Sequence, residues 1–218
     1  MLLNIWAELS VYSIPEIIAV LASLTYVILA SREHRGCWPA AILGSSIYVL
    51  VFFQYQLYMD SALNIFYVVM AVYGWAMWKN RQPKIDLLAA ATENKTNIKT
   101  TIKIWDCKKH INAIASIILL SALSVFYLDN YTDAAFPYFD SLTTWSSFLA
   151  TWMVVNKILE NWLYWIVIDA ASIYLYISKE LYFTALLFAL YVIIATYGYL
   201  HWKMLYQQKN DKTLAANH

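Results

Sequence analysis

Glycine is nearly missing from this chain: four residues among 218, with four prolines and two cysteines. That leaves no Gly-rich loop to cradle a phosphate, no GxSxG elbow and no ATP-binding element. Cys37 and Cys107 are far apart, form no CxxC and give no disulfide framework, so both read as incidental thiols. Charge is scarce as well. Only 13% of residues carry one, and 15 basic against 14 acidic groups leave a net +1. No basic excess points to nucleic acid. His34, His110, His201 and His218 fall in loops or at helix ends, without HExxH or paired-ligand spacing, which predicts no metal and no cofactor. A membrane-embedded enzyme would need a nucleophile, a metal cluster or an acid–base pair, and none is visible. A non-transporting sensor or scaffold stays open at this level.

What is abundant is apolar surface. With 61% hydrophobic residues, a soluble domain of this size could not hide its side chains. The predicted class is an all-α integral membrane protein. The start, MLLNIWAELSVYSIPEII, lacks a Lys/Arg-rich n-region and a small-residue cleavage site, so it reads as part of the mature chain. Residues 2–12 are expected at the membrane interface, anchored by Trp6 and Tyr12. A spanning helix needs roughly 20 mostly apolar residues. That length predicts seven transmembrane helices near 14–31, 38–55, 58–78, 111–128, 138–156, 162–178 and 181–202.

Alternate loops separate by charge. One set holds Arg32 and Arg35, the lysines and arginine between Lys79 and Lys109, Lys157, and Lys203, Lys209 and Lys212. The other holds only Lys179, with Asp60, Asp129, Asp133 and Asp140. Cytoplasmic loops collect Lys and Arg, so the N-terminus is expected outside and the C-terminus inside. Residues 80–110 read as a solvated cytoplasmic linker, 111–130 as a linking transmembrane helix and 204–218 as a cytoplasmic tail.

The chain also repeats. Residues 36–79 lie over 160–203 without a gap, at an offset of 124. Trp38 then falls on Trp162, Tyr67-Val68 on Tyr191-Val192, Tyr73-Gly74 on Tyr197-Gly198 and Trp78-Lys79 on Trp202-Lys203. The same frame sets Glu16 over Asp140 and Ser23 over Ser147, which brings in the preceding span. Residues 1–79 and 131–203 therefore each hold a three-helix repeat. The intervening helix restores direction, giving a parallel 3+1+3 architecture. Parallel repeats of this kind are a transporter design, with substrate held where the repeats meet.

Polar residues inside the spans supply candidates for that site. The small runs at 44–46, 146–147 and 170–172 suit close helix packing. Trp38, Tyr55, Tyr58, Trp78, Tyr131, Tyr182 and Trp202 are expected in interfacial belts. Asp169 is different, because a carboxylate in hydrocarbon is costly and usually marks a cavity or pathway. Trp165 lies four residues before it, and Trp162 continues the same helical face. Two π surfaces followed by an anion suit a flat, positively charged ring. Asn64, and Tyr67 from the repeat-matched pair, join the substrate-binding set. Asp169 and Asp140 are the carboxylates with which a proton-coupled symporter could carry a proton.

At YGWAMW (73–78), AFPYFDSLTT (135–144), SFLAT (147–151) and ENWLYWIVID (160–169) the chain resembles the Pnu-type vitamin transporter family. The likeness runs over about 14–203, and the ENWxxW and YGWxxW stretches are specific in combination. The resemblance implies a fold like that of the SWEET sugar transporters, a place in the bacterial inner membrane and a homotrimer. It implies facilitated diffusion of an unphosphorylated vitamin, with trapping by a cytoplasmic kinase. It also implies that Asn161, Trp162 and Trp165 face substrate. Family substrates include nicotinamide riboside and thiamine, both cations with flat rings. Nicotinamide riboside is the first expectation. Thr151 and Asn64 stand where the nicotinamide riboside members tend to carry Gln, and Asn156 where an Arg is common, which keeps thiamine as the alternative.

Overall fold

The computed structural model describes residues 14–54, 58–80, 102–131, 137–178 and 181–216. Seven helices occupy them: α1 (Ile14–Ser31), α2 (Cys37–Gln54), α3 (Tyr58–Asn80), α4 (Cys107–Tyr131), α5 (Pro137–Val155), α6 (Asn161–Ser178) and α7 (Tyr182–Ala216). Pro15, Pro39 and Pro137 sit in the first turns of α1, α2 and α5, where a missing N–H costs no intrahelical bond. Five helices are long and apolar enough to cross a membrane: α1, α2, α3, α4 and α7. The other two, α5 and α6, hold most of the buried polar groups, among them Ser141, Ser147, Thr151, Asn161, Asp169 and Ser172. The sequence expectation of seven spans thus divides into five apolar helices and two polar ones packed beside them.

The packing forms a closed ring. α2 lies between α1 and α3, α6 lies between α5 and α7, α3 packs on α5, and α7 packs on α1. α4 stands outside this ring and packs on α5. The offset seen in the sequence also relates the helix limits: α2 begins and ends 124 residues before α6, and Tyr58 opens α3 as Tyr182 opens α7.

It relates the loops bond by bond as well. After α1, Glu33 N donates to Ala30 O (2.9 Å) and His34 N to Leu29 O (2.9 Å). After α5, Lys157 N donates to Val154 O (3.0 Å) and Ile158 N to Met153 O (3.0 Å). Each pair is a Schellman closure that satisfies carbonyls at a helix C-terminus. Each needs one residue with positive φ, and these are Glu33 (56°) and Lys157 (55°).

Trp38, Trp78 and Trp202 correct the expectation of an interfacial belt. They are 1%, 1% and 0% exposed, and with Trp162 they form the centre of the apolar core. Tyr182 is half-buried, while the side chains of Tyr55, Tyr58 and Tyr131 lie outside the described residues. A tryptophan carries one polar N–H on a large apolar body, so interface and core both suit it. Here two of those N–H groups find helix ends. Trp78 Nε1 donates to Val155 O at the end of α5 (3.0 Å), and Trp202 Nε1 to Ala30 O at the end of α1 (3.2 Å). Each three-helix unit thus caps a helix of the other. Glycine makes the packing possible: a Cβ at Gly74 would meet the Trp38 ring at 2.5 Å, and one at Gly198 the Trp162 ring at 2.8 Å.

Two segments read as polar take on structure. Most of the linker lies outside the described residues, but its last part does not behave as solvated chain. Ile102 is buried, Lys103 pairs with Ile158 in a parallel β-bridge, and the Trp105 N–H meets the Glu160 carboxylate at 3.3 Å. Ile102 and Trp105 supply the apolar surface that holds this end down despite the lysines around it. α4 then starts at Cys107, four residues before the predicted 111. Just before it Asp106, hydrogen-bonded by Lys109 at 3.1 Å, has its carboxyl held below the usual carboxylate range. The tail expected from 204 continues α7 to Ala216. Residues 2–12 fall outside the described part.

Gly74→Ala and Gly198→Ala are each expected to lower stability by about 1–3 kcal/mol, the range for overpacking a filled core. Thermal unfolding of the purified protein in detergent checks this. A melting temperature unchanged in both variants would show that the indoles do not need the missing Cβ.

Candidate functional site

Asp169 is the ninth of the eighteen residues of α6, so it lies at the helix midpoint. It is 5% exposed and within electrostatic reach of Tyr67 on α3 and Tyr191 on α7. Those two tyrosines occupy equivalent places in the two repeats. The Tyr67 hydroxyl is hydrogen-bonded to Ser147 on α5. Tyr26 on α1 neighbours Tyr67, and Tyr48 on α2 neighbours Tyr191. Through these pairs, hydroxyls of the other five ring helices are linked to the acid on α6, Tyr67 and Tyr191 directly and Ser147, Tyr26 and Tyr48 through them.

The predicted site residues divide into three groups. Asp169 and Tyr67 belong to this midlevel cluster. Asn64 and Thr151 lie on α3 and α5, which pack on each other, and both are buried. Both turn their polar groups onto their own helices: Asn64 Nδ2 donates to Asp60 O (2.9 Å) and Thr151 Oγ1 to Ser147 O (2.7 Å).

Asn161 and Trp162 sit two turns from Asp169, roughly 10 Å along the axis. Trp162 is 2% exposed, stands edge-on to Trp202 with centroids 5.5 Å apart, and covers Gly198. Its ring is thus packed against protein rather than presented as an open π face. Trp38 does the same in the first repeat, edge-on to Trp78 at 5.1 Å and over Gly74. The indole N–H of Trp162 and Oδ1 of Asn161 are buried without a hydrogen-bond partner among the described residues. Asn161 Nδ2 donates to Ile158 O (2.6 Å). Trp165 is partly buried at the edge of this core and is the tryptophan of the pair nearer Asp169.

Sequence reading missed Tyr191 as a neighbour of the acid, and Tyr26, Tyr48 and Ser147 as neighbours of the two tyrosines beside it. The repeat frame carried one usable signal, since it set Tyr67 on Tyr191 and Ser23 on Ser147. Tyr26 and Tyr48 gave none, because one tyrosine among 18 does not announce which way it points.

A separate crevice of about 550 Å³ opens between α3, α4 and α5, lined mainly by Phe66, Ile117, Trp145, Phe148 and Trp152, with Lys109 at one end. It lies outside the ring, and none of the predicted substrate residues line it.

A ring of helices around a polar midlevel is the organisation of a membrane carrier, and comparison with known proteins agrees. Residues 13–204 match the family model described as "Nicotinamide mononucleotide transporter", and the chain belongs to that family. The nicotinamide riboside transporter PnuC of Escherichia coli (strain K12) is 23% identical over 92% of this chain and 89% of its own length. PnuC of Neisseria mucosa is 22% identical over 97% of this chain and 81% of its own. A solved structure titled as the crystal structure of the vitamin B3 transporter PnuC superposes with a TM-score of 0.70. It is 19% identical and covers 89% of this chain and 83% of that one, a likeness of fold.

The contrast between the two tryptophans is testable. Trp162→Ala empties a fully packed position and is expected to cost about 3–5 kcal/mol of stability. Trp165→Ala, at the edge of the core, is expected to cost markedly less. Detergent melting curves of the two variants decide it, and equal losses would mean that Trp165 is as much a core residue as Trp162.

Proposed function

We propose that this chain carries an unphosphorylated cationic vitamin, nicotinamide riboside, across the bacterial inner membrane by facilitated diffusion. One observation carries the reading: in the six ring helices the other charges lie in first turns (Glu16, Asp60 and Asp140) or toward the far ends (Lys79, and Lys203 onward in the long α7), so Asp169 is the one charge at midlevel and no lysine or arginine accompanies it there. A midspan carboxylate offsets the cost of bringing a pyridinium out of water. A mononucleotide would bring a phosphate, and the ring offers no cation at midlevel to receive it. The family model's description names the phosphorylated compound, while the relatives' names give the riboside; the charge at this site favours the riboside.

In this reading Trp165 offers the π surface beside Asp169, and Tyr67 and Tyr191 close the site from the two repeats. Trp162 and Asn161 hold the end of α6. Asn64 and Thr151 shape the wall between α3 and α5. The helices form seven spans in a parallel 3+1+3 arrangement, with α4 as the linking span. Support comes from the shared offset of helix limits and loop bonds, and from the reciprocal packing of α1 on α7 and α3 on α5. The lysine and arginine bias puts the C-terminus in the cytoplasm, where a kinase phosphorylates the product and keeps it inside.

Thiamine is the competing cargo. Its support is the pair Thr151 and Asn64, whose polar groups are turned onto their own helices and offer less to an amide or ribose than a longer Gln would.

Tryptophan fluorescence of the purified protein, titrated in parallel with nicotinamide riboside and thiamine, tests both readings. Quenching by the riboside is expected, and Asp169→Asn should weaken it at least about tenfold, or ~1.4 kcal/mol. Quenching by thiamine alone would transfer the assignment to the second cargo. No response to either, in folded protein, would remove the cationic-ring reading. Vesicle uptake should survive a protonophore; its abolition without a trapping kinase would make the protein a symporter.

A further inference from the structure

Besides the Tyr67–Ser147 bond at midlevel, a cluster of contacts ties one three-helix unit to the other at one end of the ring. Trp78 Nε1 reaches Val155 O, Trp202 Nε1 reaches Ala30 O, and the Trp78 and Trp202 rings meet with centroids 6.2 Å apart. At the same end Lys157 forms an ion pair with Glu33 and lies 4.5 Å from the centre of the Trp78 ring. The opposite end brings Asp60 of α3 within electrostatic reach of Asp140 of α5, a like-charge approach.

Glu33 and Lys157 are the same position of the repeat, 124 residues apart. Both are C′ residues of a Schellman closure with positive φ, where glycine is the usual choice and any side chain is strained. Strain of this kind is kept where the side chain has work to do. Two identical residues facing each other across the junction would repel; Glu against Lys attracts. The pair is also largely withdrawn from solvent, with side chains 14% and 10% exposed. A withdrawn ion pair holds firmly while closed, but once parted each charge can be solvated. That is the behaviour of a latch.

We infer that Glu33 and Lys157, braced by Trp78 and Trp202, form the cytoplasmic gate of the carrier and part when the site opens inward. The assignment of this end to the cytoplasm rests on the orientation proposed above. The tyrosine and Asp169 level lies outward of the tryptophans, so parting the pair opens the route from inside.

A single reporter thiol tests this. Ala71 is 1% exposed on α3, two turns outward of Trp78. In a chain with Cys37→Ala, Cys107→Ala and Ala71→Cys, labelling by a membrane-impermeant maleimide is followed in inside-out vesicles. Glu33→Gly and Lys157→Gly should each speed labelling several-fold. Both substitutions suit the positive φ, so they remove charge while relieving backbone strain. The double variant E33K/K157E should return the rate close to that of the parent. Unchanged rates in both single variants would overturn the gate. So would a charge swap that labels as fast as the single variants, or that fails to fold when they do fold. Acceleration seen only in right-side-out vesicles would move the gate to the outer end and overturn the cytoplasmic assignment. The assay uses no substrate, so a carrier for another cargo would pass it, and failure of nicotinamide riboside uptake is separately visible.

Discussion

Two indole N–H groups hold the halves of this molecule in register. The last carbonyls of a helix have no partner within it, and in hydrocarbon an unsatisfied carbonyl is costly. Trp78 answers that need at the end of α5 and Trp202 at the end of α1. Each donor belongs to the repeat that does not own the acceptor, so each half adds a bond to a helix end of the other. The rest of the core follows from placing those rings. Trp38 and Trp162 meet them edge-on, and Gly74 and Gly198 are bare so that the second pair of rings can lie against α3 and α7. With only four glycines in the chain, two are spent on this contact.

The duplication sets the frame, and the departures from it mark the proposed site. α3 presents Asp60, Asn64 and Tyr67 at i, i+4 and i+7 next to α5, which brings Asp140, Ser147 and Thr151. Their equivalents on α7 and α1 are Thr184, Phe188 and Tyr191, with Glu16, Ser23 and Val27. One seam between the halves is thus more polar than the other. Asp169 has Ser45 as its counterpart, so the midlevel charge exists once, not twice. A symmetric scaffold with a single acid suits a small asymmetric cation better than two identical sites would.

Much of this was legible in the sequence because the physics involved is local or periodic. Hydropathy placed α1 to the residue and α2, α3 and α6 within two residues, since a spanning length is a property of the segment itself. The ungapped frame foretold the equivalence of Trp38 with Trp162 and of Tyr67 with Tyr191. What stayed hidden depends on partners. Trp78 and Trp202 read as belt residues because their amphipathic rings fit an interface as well as a helix end. Trp162 read as an open face because sequence does not show that Gly198 lies beneath it. Ile102 and Trp105 were lost among lysines, and their packing appears only once the α5–α6 loop is there to receive them.

The residues that hold the protein and those proposed to meet its cargo lie in different places on α6. The ENWxxW stretch looked like one functional unit, yet its residues lie at two depths and do two jobs. Asn161 and Trp162 sit in the tryptophan core at the end of α6. Trp165 lies at the edge of that core, and Asp169, one turn on, is buried within electrostatic reach of Tyr67 and Tyr191. A helix that anchors the closed end and also carries the acid links the two physically. Any tilt of α6 that parts the core at its end also shifts the carboxylate at its midpoint. If the proposed gate and site are right, parting the one and reshaping the other would be a single rigid-body event.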